Sequence, residues 1–309
     1  MKIAIRHQLR FPVGTGTARA VEHVLLTPLS GPTQTVREWS IDLPGIETAA
    51  RFVDAFGNRA ILANQTKPEG DLVFSVSGVV ETIDRNGVVG RVVGEPVVAL
   101  YRRSTALTAP DPAFVAEFAG ADRTGPARIA LLHAIMEALG KRFRYSPVAA
   151  TAAPLPDDTA PPAGMTQTMN GMTQSMGMAG TSQSMSAGEA AEADEPTVDE
   201  AHDDRAPLDA AGFAHAFIAT ARALDIPARY VTGYLAADED QPAAFHAWCE
   251  AYDDALGWIG FDAALGYCPT DRHVRVAAGL DALYTQAVRM VPEGGGSTLL
   301  DLSVEAAAQ

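Results

Sequence analysis

The sequence predicts an α+β protein: an N-terminal antiparallel β-sandwich-like domain, then a mixed core of helices and strands that carries a disordered insertion. Three observations support this. Roughly the first third of the chain breaks into short β-favouring runs separated by turn signals. From Asp111 the apolar spacing becomes helical. Residues 149–196 are almost devoid of aromatic and large aliphatic side chains. A chain of 309 residues is long enough for one large or two modest domains, each with its own core. The predicted division is 1–108 for the β domain, 109–148 with 197–307 for the core, and 149–196 for the insertion.

Seven strands are expected in the first domain: Lys2 to Phe11, Val21 to Pro28, Gln34 to Asp42, Thr48 to Asp54, Ala60 to Gln65, Leu72 to Ile83 and Gly90 to Pro96. Asp54-Ala55-Phe56-Gly57-Asn58 and Arg85-Asn86-Gly87 have the composition of turns. No catalytic constellation stands out here, and His7, His23 and Asp54 read as surface or turn residues.

Pro112 to Phe118 is a short amphipathic piece, and Ala127 to Leu139 has apolar residues at helical spacing with Gly140 as its stop. His133 reads as a core or rim histidine of that helix. After the insertion, Ala210 to Leu224 forms a further helix with Asp209 as N-cap and Phe213, Phe217, Ala221 and Leu224 as its buried stripe.

The insertion is rich in Ala, Pro, Thr, Ser and Gly and holds six of the nine methionines, with Met165 to Gly171 nearly repeated by Met172 to Met178. Such a composition does not offset the entropy of ordering, so disorder is expected. Methionines four residues apart could line a helix face for a partner groove, or offer thioethers to Cu(I). With no His or Cys cluster beside them, a tolerated low-complexity segment is the simpler account, and no cofactor or metal site is expected.

The net charge of −15 argues against nucleic acid and anionic membrane as partners, since both select Lys/Arg patches. Residues 146–204 contain ten acids and no Lys or Arg, so they account for −10 and leave −5 for the rest. No apolar run reaches the roughly 20 residues of a membrane-spanning helix. Two cysteines and an N-terminus without a charged-then-apolar leader pattern lead to the expectation of a cytoplasmic protein without structural disulfides.

Chemistry concentrates in Phe245 to Gly266, which reads as a β-hairpin with its turn at Asp253 to Gly257. If the hairpin is symmetric about Asp254, His246 and Asp262 face each other across the ladder. Strand alternation puts His246, Trp248 and Glu250 on one face with Trp258, Gly260 and Asp262; Ala247, Cys249, Ile259 and Phe261 share the other. A carboxylate that orients an imidazole is the supporting half of a nucleophile-His-Asp triad, although His-Asp pairs also occur as plain structural bonds.

The flanking sequence decides between these. Phe213-Ala214-His215, the run Ala223-Leu224-Asp225-Ile226-Pro227-Ala228-Arg229-Tyr230-Val231-Thr232-Gly233-Tyr234, then His246-Ala247-Trp248-Cys249-Glu250-Ala251-Tyr252 and Gly257-Trp258-Ile259-Gly260-Phe261-Asp262 resemble, in order, the core of bacterial transglutaminase-like proteins. In that family the pattern is G-V-C-Q-D-F-A-H, A-L-G-I-P-A-R-Y-V-S-G-Y, H-A-W-V-E-V-Y and G-W-V-G-F-D-P-T-N-G. Phe143-Arg144-Tyr145, the closing strands His273 to Ala277 and Thr298 to Val304, and Leu26-Thr27-Pro28, Gln34-Thr35-Val36 and Phe56-Gly57-Asn58 in the first domain extend the likeness.

The resemblance implies a papain-like transglutaminase core with His246 and Asp262 as two triad members and a cleft that includes Trp248 and Trp258. It also implies a nucleophilic Cys at the start of the Ala210 helix, where free amides and the macrodipole depress a thiol's pKa. The chain departs from the family there: Ala210, Ala211 and Gly212 replace Cys, Gln and Asp, and Ala263-Ala264-Leu265 replaces P-T-N. Cys249 falls on the face opposite His246, which leaves Cys268 as the candidate substitute thiol. Three functional expectations follow: a pseudoenzyme whose His/Asp cleft binds a protein or peptide partner, an amide-bond enzyme (cysteine protease, amidase or transglutaminase) using a relocated thiol such as Cys268, or an interaction protein acting through its insertion.

Overall fold

Ile3, Ile5, Leu9 and Phe11 are buried while Lys2 and Arg10 between and around them are exposed, the two-residue alternation of a strand with one face on a core. The same logic, with helical periodicity further on, builds a computed structural model that describes residues 1–68, 70–92, 96–147, 203–239, 241–292 and 296–307. The expectations placed on 149–196, including the methionine repeat, lie outside the described residues.

In chain order the elements are β1 (Lys2–Phe11), β2 (Arg19–Thr27), β3 (Gln34–Asp42), β4 (Ala50–Val53), β5 (Arg59–Thr66), β6 (Leu72–Thr82), β7 (Val88–Gly90), α1 (Pro112–Ala116) and α2 (Gly125–Arg142). They continue with β8 (Phe143–Tyr145), β9 (Ala206–Leu208), α3 (Ala210–Ala223), β10 (Ala228–Leu235), β11 (Ala244–Asp253), β12 (Gly257–Phe261), β13 (His273–Gly279), β14 (Val288–Val291) and β15 (Thr298–Ala306). Two antiparallel sheets, ordered β15-β1-β6-β3 and β14-β2-β5-β4, enclose a core of Leu9, Phe11, Val24, Ile61, Phe74 and Met290. The third sheet, β13-β10-β11-β12-β7, carries α2 and α3 on one face, over Tyr230, Cys249, Ile259 and Phe261.

Several sequence expectations are corrected. β14 and β15, placed with the core by their position in the chain, pair with β2 and β1 of the N-terminal sheets. The observed strand here is Val88–Gly90, which joins β12 at the edge of the core sheet; of the strand expected at Gly90 to Pro96, residues 91, 92 and 96 are not in a strand and 93–95 lie outside the described residues. Asn86 and Gly87, at φ 51° and 77°, form the tight turn that leads into it, with the Val88 amide bonded to the Arg85 carbonyl. Gly140 lies inside α2, which runs on to Arg142; a glycine costs a helix interior only about 1 kcal/mol relative to alanine.

The two basic side chains that tie the core together are buried. Arg222, near the end of α3, donates to the carbonyls of Tyr101, Ala228 and Leu280 and to Thr108 Oγ1 at 2.8–3.0 Å. Arg229 lies over the Trp258 ring, 3.9 Å from its centroid, and its Nε donates to Glu250 Oε2 at 2.6 Å.

Glu22 is the opposite case. Its side chain is fully buried on the inner face of β2, and neither carboxylate oxygen has a hydrogen-bond partner. Burial pushes its carboxyl from 4.5 up to about 7. Between those values the native chain holds a proton that the unfolded chain releases, so stability falls as pH rises through that window. Glu22→Gln is expected to abolish that slope and to stabilise the protein by about 3 kcal/mol at pH 8 and hardly at all at pH 4. Urea midpoints of both proteins at the two pH values check this.

Candidate active site

The hairpin that carries His246 and Asp262 is set by its turn. Asp253, buried at the end of β11, accepts from the amides of Ala255 and Leu256 at 2.9 Å, and Gly257 takes φ 80°. A glycine in the left-handed conformation closing a three-residue loop makes Asp253 and Gly257 the last ladder pair. The hairpin is therefore centred on Ala255 and not on Asp254, and the pairs run Glu250 with Gly260 and Cys249 with Phe261. The slip is two residues, so every side chain keeps its expected face. Asp262 lies just past the ladder, bridged to Tyr267, and reaches His246 diagonally.

The pair forms a hydrogen bond of 2.7 Å between His246 Nε2 and Asp262 Oδ2, with both side chains buried. Sequence reasoning missed a third member. His273, the first residue of β13, bonds the same Oδ2 through its Nε2 at 3.1 Å. The Thr270 amide donates to His273 Nδ1 at 3.2 Å, so that nitrogen must carry the lone pair. With Nδ1 accepting, His273 Nε2–H is the donor to Asp262. Its strand was legible, but only the pairing of β13 with β10, one strand away from β11, brings it to the site.

Asp262 Oδ1 accepts from the Leu265 amide at 3.2 Å. Burial acts to raise this carboxyl, but the hydrogen bonds from His246 and His273 outweigh it and hold the group near 2. A permanently ionised carboxylate orients His246 with Nε2–H toward it, which leaves Nδ1 as the basic nitrogen.

The ligating atoms of His246, Asp262 and His273 lie within 4.8 Å of one another, a spacing that could suit a metal. The hydrogen bonding opposes that use: both Nε2 atoms aim at one carboxylate oxygen, and freeing His273 Nε2 would put a proton on Nδ1 against the Thr270 amide.

Trp248 packs beside this group, its ring 5.4 Å from that of His273 and 6.4 Å from that of His246. Gly233, opposite His246 on β10, makes room for it: a Cβ there would come within 2.6 Å of the indole. Trp258, expected in the same cleft, is instead a core residue packed on Tyr101 and Tyr252 beneath Arg229.

Asp209 is the N-cap of α3, accepting from the Gly212 amide at 2.7 Å, and Ala210 is the first helical residue. Tyr145 links this helix start to the histidine. It pairs with Leu208 in the short parallel sheet of β8 and β9, and its ring lies edge-on, 6.3 Å from that of His246. Burial first, then the charges of Asp262 and Asp209, raise its phenol. Ala211 packs against the helical core, and a Cβ at Gly212 would meet Leu208 Cδ1 at 2.4 Å, so a larger residue there requires the Leu208 side chain to move.

Neither thiol joins the site. Cys249 is buried on the helix-covered face, its Sγ directed at the Phe261 carbonyl at 3.1 Å, and burial raises its pKa strongly. Cys268 is partly buried against the same core and the Gly87 turn, and burial raises its pKa too.

An antiparallel sheet flanked by helices, with a buried Asp orienting a His on adjoining strands, defines the class of papain-like, transglutaminase-like folds. Residues 183–263 match the transglutaminase-like superfamily core and residues 3–81 the bacterial transglutaminase-like N-terminal region. The chain belongs to the bacterial transglutaminase-like proteins.

A crystal structure of a candidate cysteine protease from Cytophaga hutchinsonii is similar over 99% of this chain and 90% of its own, with a TM-score of 0.61 and 20% identity. The uncharacterised protein ML0607 of Mycobacterium leprae (strain TN) is 31% identical over 99 residues, 30% of this chain. That match spans 35% of the relative's length, about a third of it. Among the described residues no helix is long and apolar enough to cross a membrane.

Proposed function

We propose that this chain is a transglutaminase-like protein without a nucleophile of its own, which uses the cleft around His246, Trp248 and Asp262 to bind a peptide, with a glutamine-like side chain as the favoured ligand. The observation that carries this is the pairing of an intact His246–Asp262 bond with an alanine at the first turn of α3. Aligned through Phe213-Ala214-His215, Ala210 takes the place of the family's Cys, and an alanine can form no acyl intermediate. The raised thiols of Cys249 and Cys268 weigh against the alternative of a relocated nucleophile. Two unpaired cysteines accord with a reducing, cytoplasmic setting.

The test uses a blocked glutaminyl peptide. Saturable binding is expected, with no ammonia released beyond that of a His246→Ala variant. Ammonia release by the native chain that His246→Ala abolishes would replace this reading with the amide-bond enzyme.

A further inference from the structure

The sheet ordered β14-β2-β5-β4 buries one face in the sandwich core and leaves much of the other open among the described residues. Paired residues of neighbouring strands share a face, so Arg289, His23, Leu62 and Ala50 form one row across all four strands. Strand alternation adds Phe52 and Val291 to the same face. Phe52, Leu62 and Val291 are 43%, 40% and 60% exposed, and apolar side chains grouped in this way mark an interaction surface. At one end of the face, the turn after β4 and the segment before β14 enclose a pocket of about 170 Å³. Its walls include buried Leu25 and the rings of Phe56 and Tyr284, which meet edge-on at 5.1 Å. His23 also lines it and stands 6.0 Å from the Phe52 ring, which joins the pocket to the open face. An apolar cavity of roughly 150 Å³ admits benzene, so the pocket has room for one aromatic side chain.

The exposed charge of this sheet is cationic in a chain whose net charge is −15. Its strands carry Arg19, Arg51, Arg59 and Arg289, all exposed and none in an ion pair with a carboxylate. Arg19 and Arg289 lie on the open face itself. The one acid of the four strands, Glu22, points inward between Ala63 and Met290. Asp54, at the pocket, is already engaged: its Oδ1 accepts from the amides of Phe56 and Asn58 at 2.8 Å and its Oδ2 from Asn58 Nδ2 at 2.9 Å. The Arg289 guanidinium donates to the Leu283 carbonyl, which holds it over the pocket it lines. Exposed apolar side chains between guanidiniums suit an acidic segment with an aromatic anchor, and suit the uniform polyanion of a nucleic acid less well.

We propose that this face docks an acidic peptide segment of a partner protein, with one aromatic side chain in the pocket beside His23, Phe56 and Tyr284. Carboxylates of that segment meet Arg19 and Arg289, and its apolar side chains cover Phe52 and Leu62. None of these residues belongs to the His246 group.

The probe is an acetylated and amidated Glu-Glu-Trp-Glu-Glu peptide, titrated calorimetrically into the full chain at low salt. Saturable binding at one site is expected. Replacing its Trp by Ala should weaken it at least about tenfold, the loss of an aromatic anchor, and replacing its acids by Lys should abolish binding. Arg19→Glu/Arg289→Glu, at two exposed positions, should weaken the Trp peptide about tenfold or more with the melting temperature unchanged. Tyr284→Ala should weaken the Trp peptide and leave the Ala peptide unchanged. Absence of saturable binding, equal binding of the Trp and Ala peptides, or affinity unchanged by the charge reversal would overturn the proposal. So would a single-stranded oligonucleotide or a phosphatidylserine vesicle that binds as tightly, or a dimer of the chain that Phe52→Asp disperses. The probe contains no glutamine, so its result is independent of the glutaminyl peptide experiment.

Discussion

Replacing Ala210 by Cys is expected to create a thiol that alkylates as thiolate well below the ordinary pKa of about 8.5, with an apparent pKa under 7. Position 210 is the first residue of α3, where the helix dipole favours an anion, in part against the charge of the Asp209 cap. His246, oriented by the ionised Asp262, presents its Nδ1 as the basic nitrogen, and the new thiol would draw on it. Alkylation near pH 6 should then be about tenfold or more faster than for an unperturbed thiol. In the Ala210→Cys/His246→Ala double variant the thiol pKa should rise by at least about one unit. Gly212 is best kept in this experiment, because a Cβ there meets Leu208 Cδ1 at 2.4 Å and the Leu208 side chain would have to shift. An unshifted thiol in both variants would mean that the start of α3 and the His–Asp pair do not form one site.

The second large effect concerns stability. Arg222→Met should lower it by about 3–5 kcal/mol, because it strips buried carbonyl groups of their donors at the junction of α3, β10 and the segment around Tyr101. Arg222 is 5% exposed, and its guanidinium is the common partner of Tyr101, Ala228, Leu280 and Thr108. Burial lowers its pKa to about 10, against the opposing charge of Asp281, so it stays cationic at neutral pH. Methionine fills a similar volume, which isolates the polar loss from a cavity. A change in denaturation midpoint equivalent to less than about 1 kcal/mol would show that these carbonyls find other partners.

Much of this architecture was legible because local rules and global fold agree. Alternation in β1 and β3, the Asp209 cap and the apolar stripe of α3 place those elements within a residue or so of their observed bounds. The faces of the hairpin that carries His246 and Asp262 were also legible, since they depend only on parity. Its register was not: composition marks a turn at Asp253 to Gly257, but which residue takes positive φ decides the ladder, and Gly257 does so rather than a residue symmetric about Asp254.

Nonlocal pairing was beyond sequence patterns. Nothing in Val288–Val291 or Thr298–Ala306 announces that these strands close the N-terminal sheets, and nothing in Val88–Gly90 that it crosses to the core. His273 was hidden for the same reason, and Trp258 was misplaced because sharing a sheet face with Asp262 does not put it at the same end of the strand.

The proposal that this chain lacks a nucleophile of its own is tested most directly by alkylating the native chain with iodoacetamide across about pH 5 to 9, with mass spectrometry locating the label. The expected result is slow labelling of both thiols below pH 8: Cys249 is enclosed by the core and Cys268 partly so, and burial raises both. Fast labelling of Cys268 below pH 7 that a His246→Ala variant abolishes would contradict this, and would make the protein an enzyme with a relocated thiol.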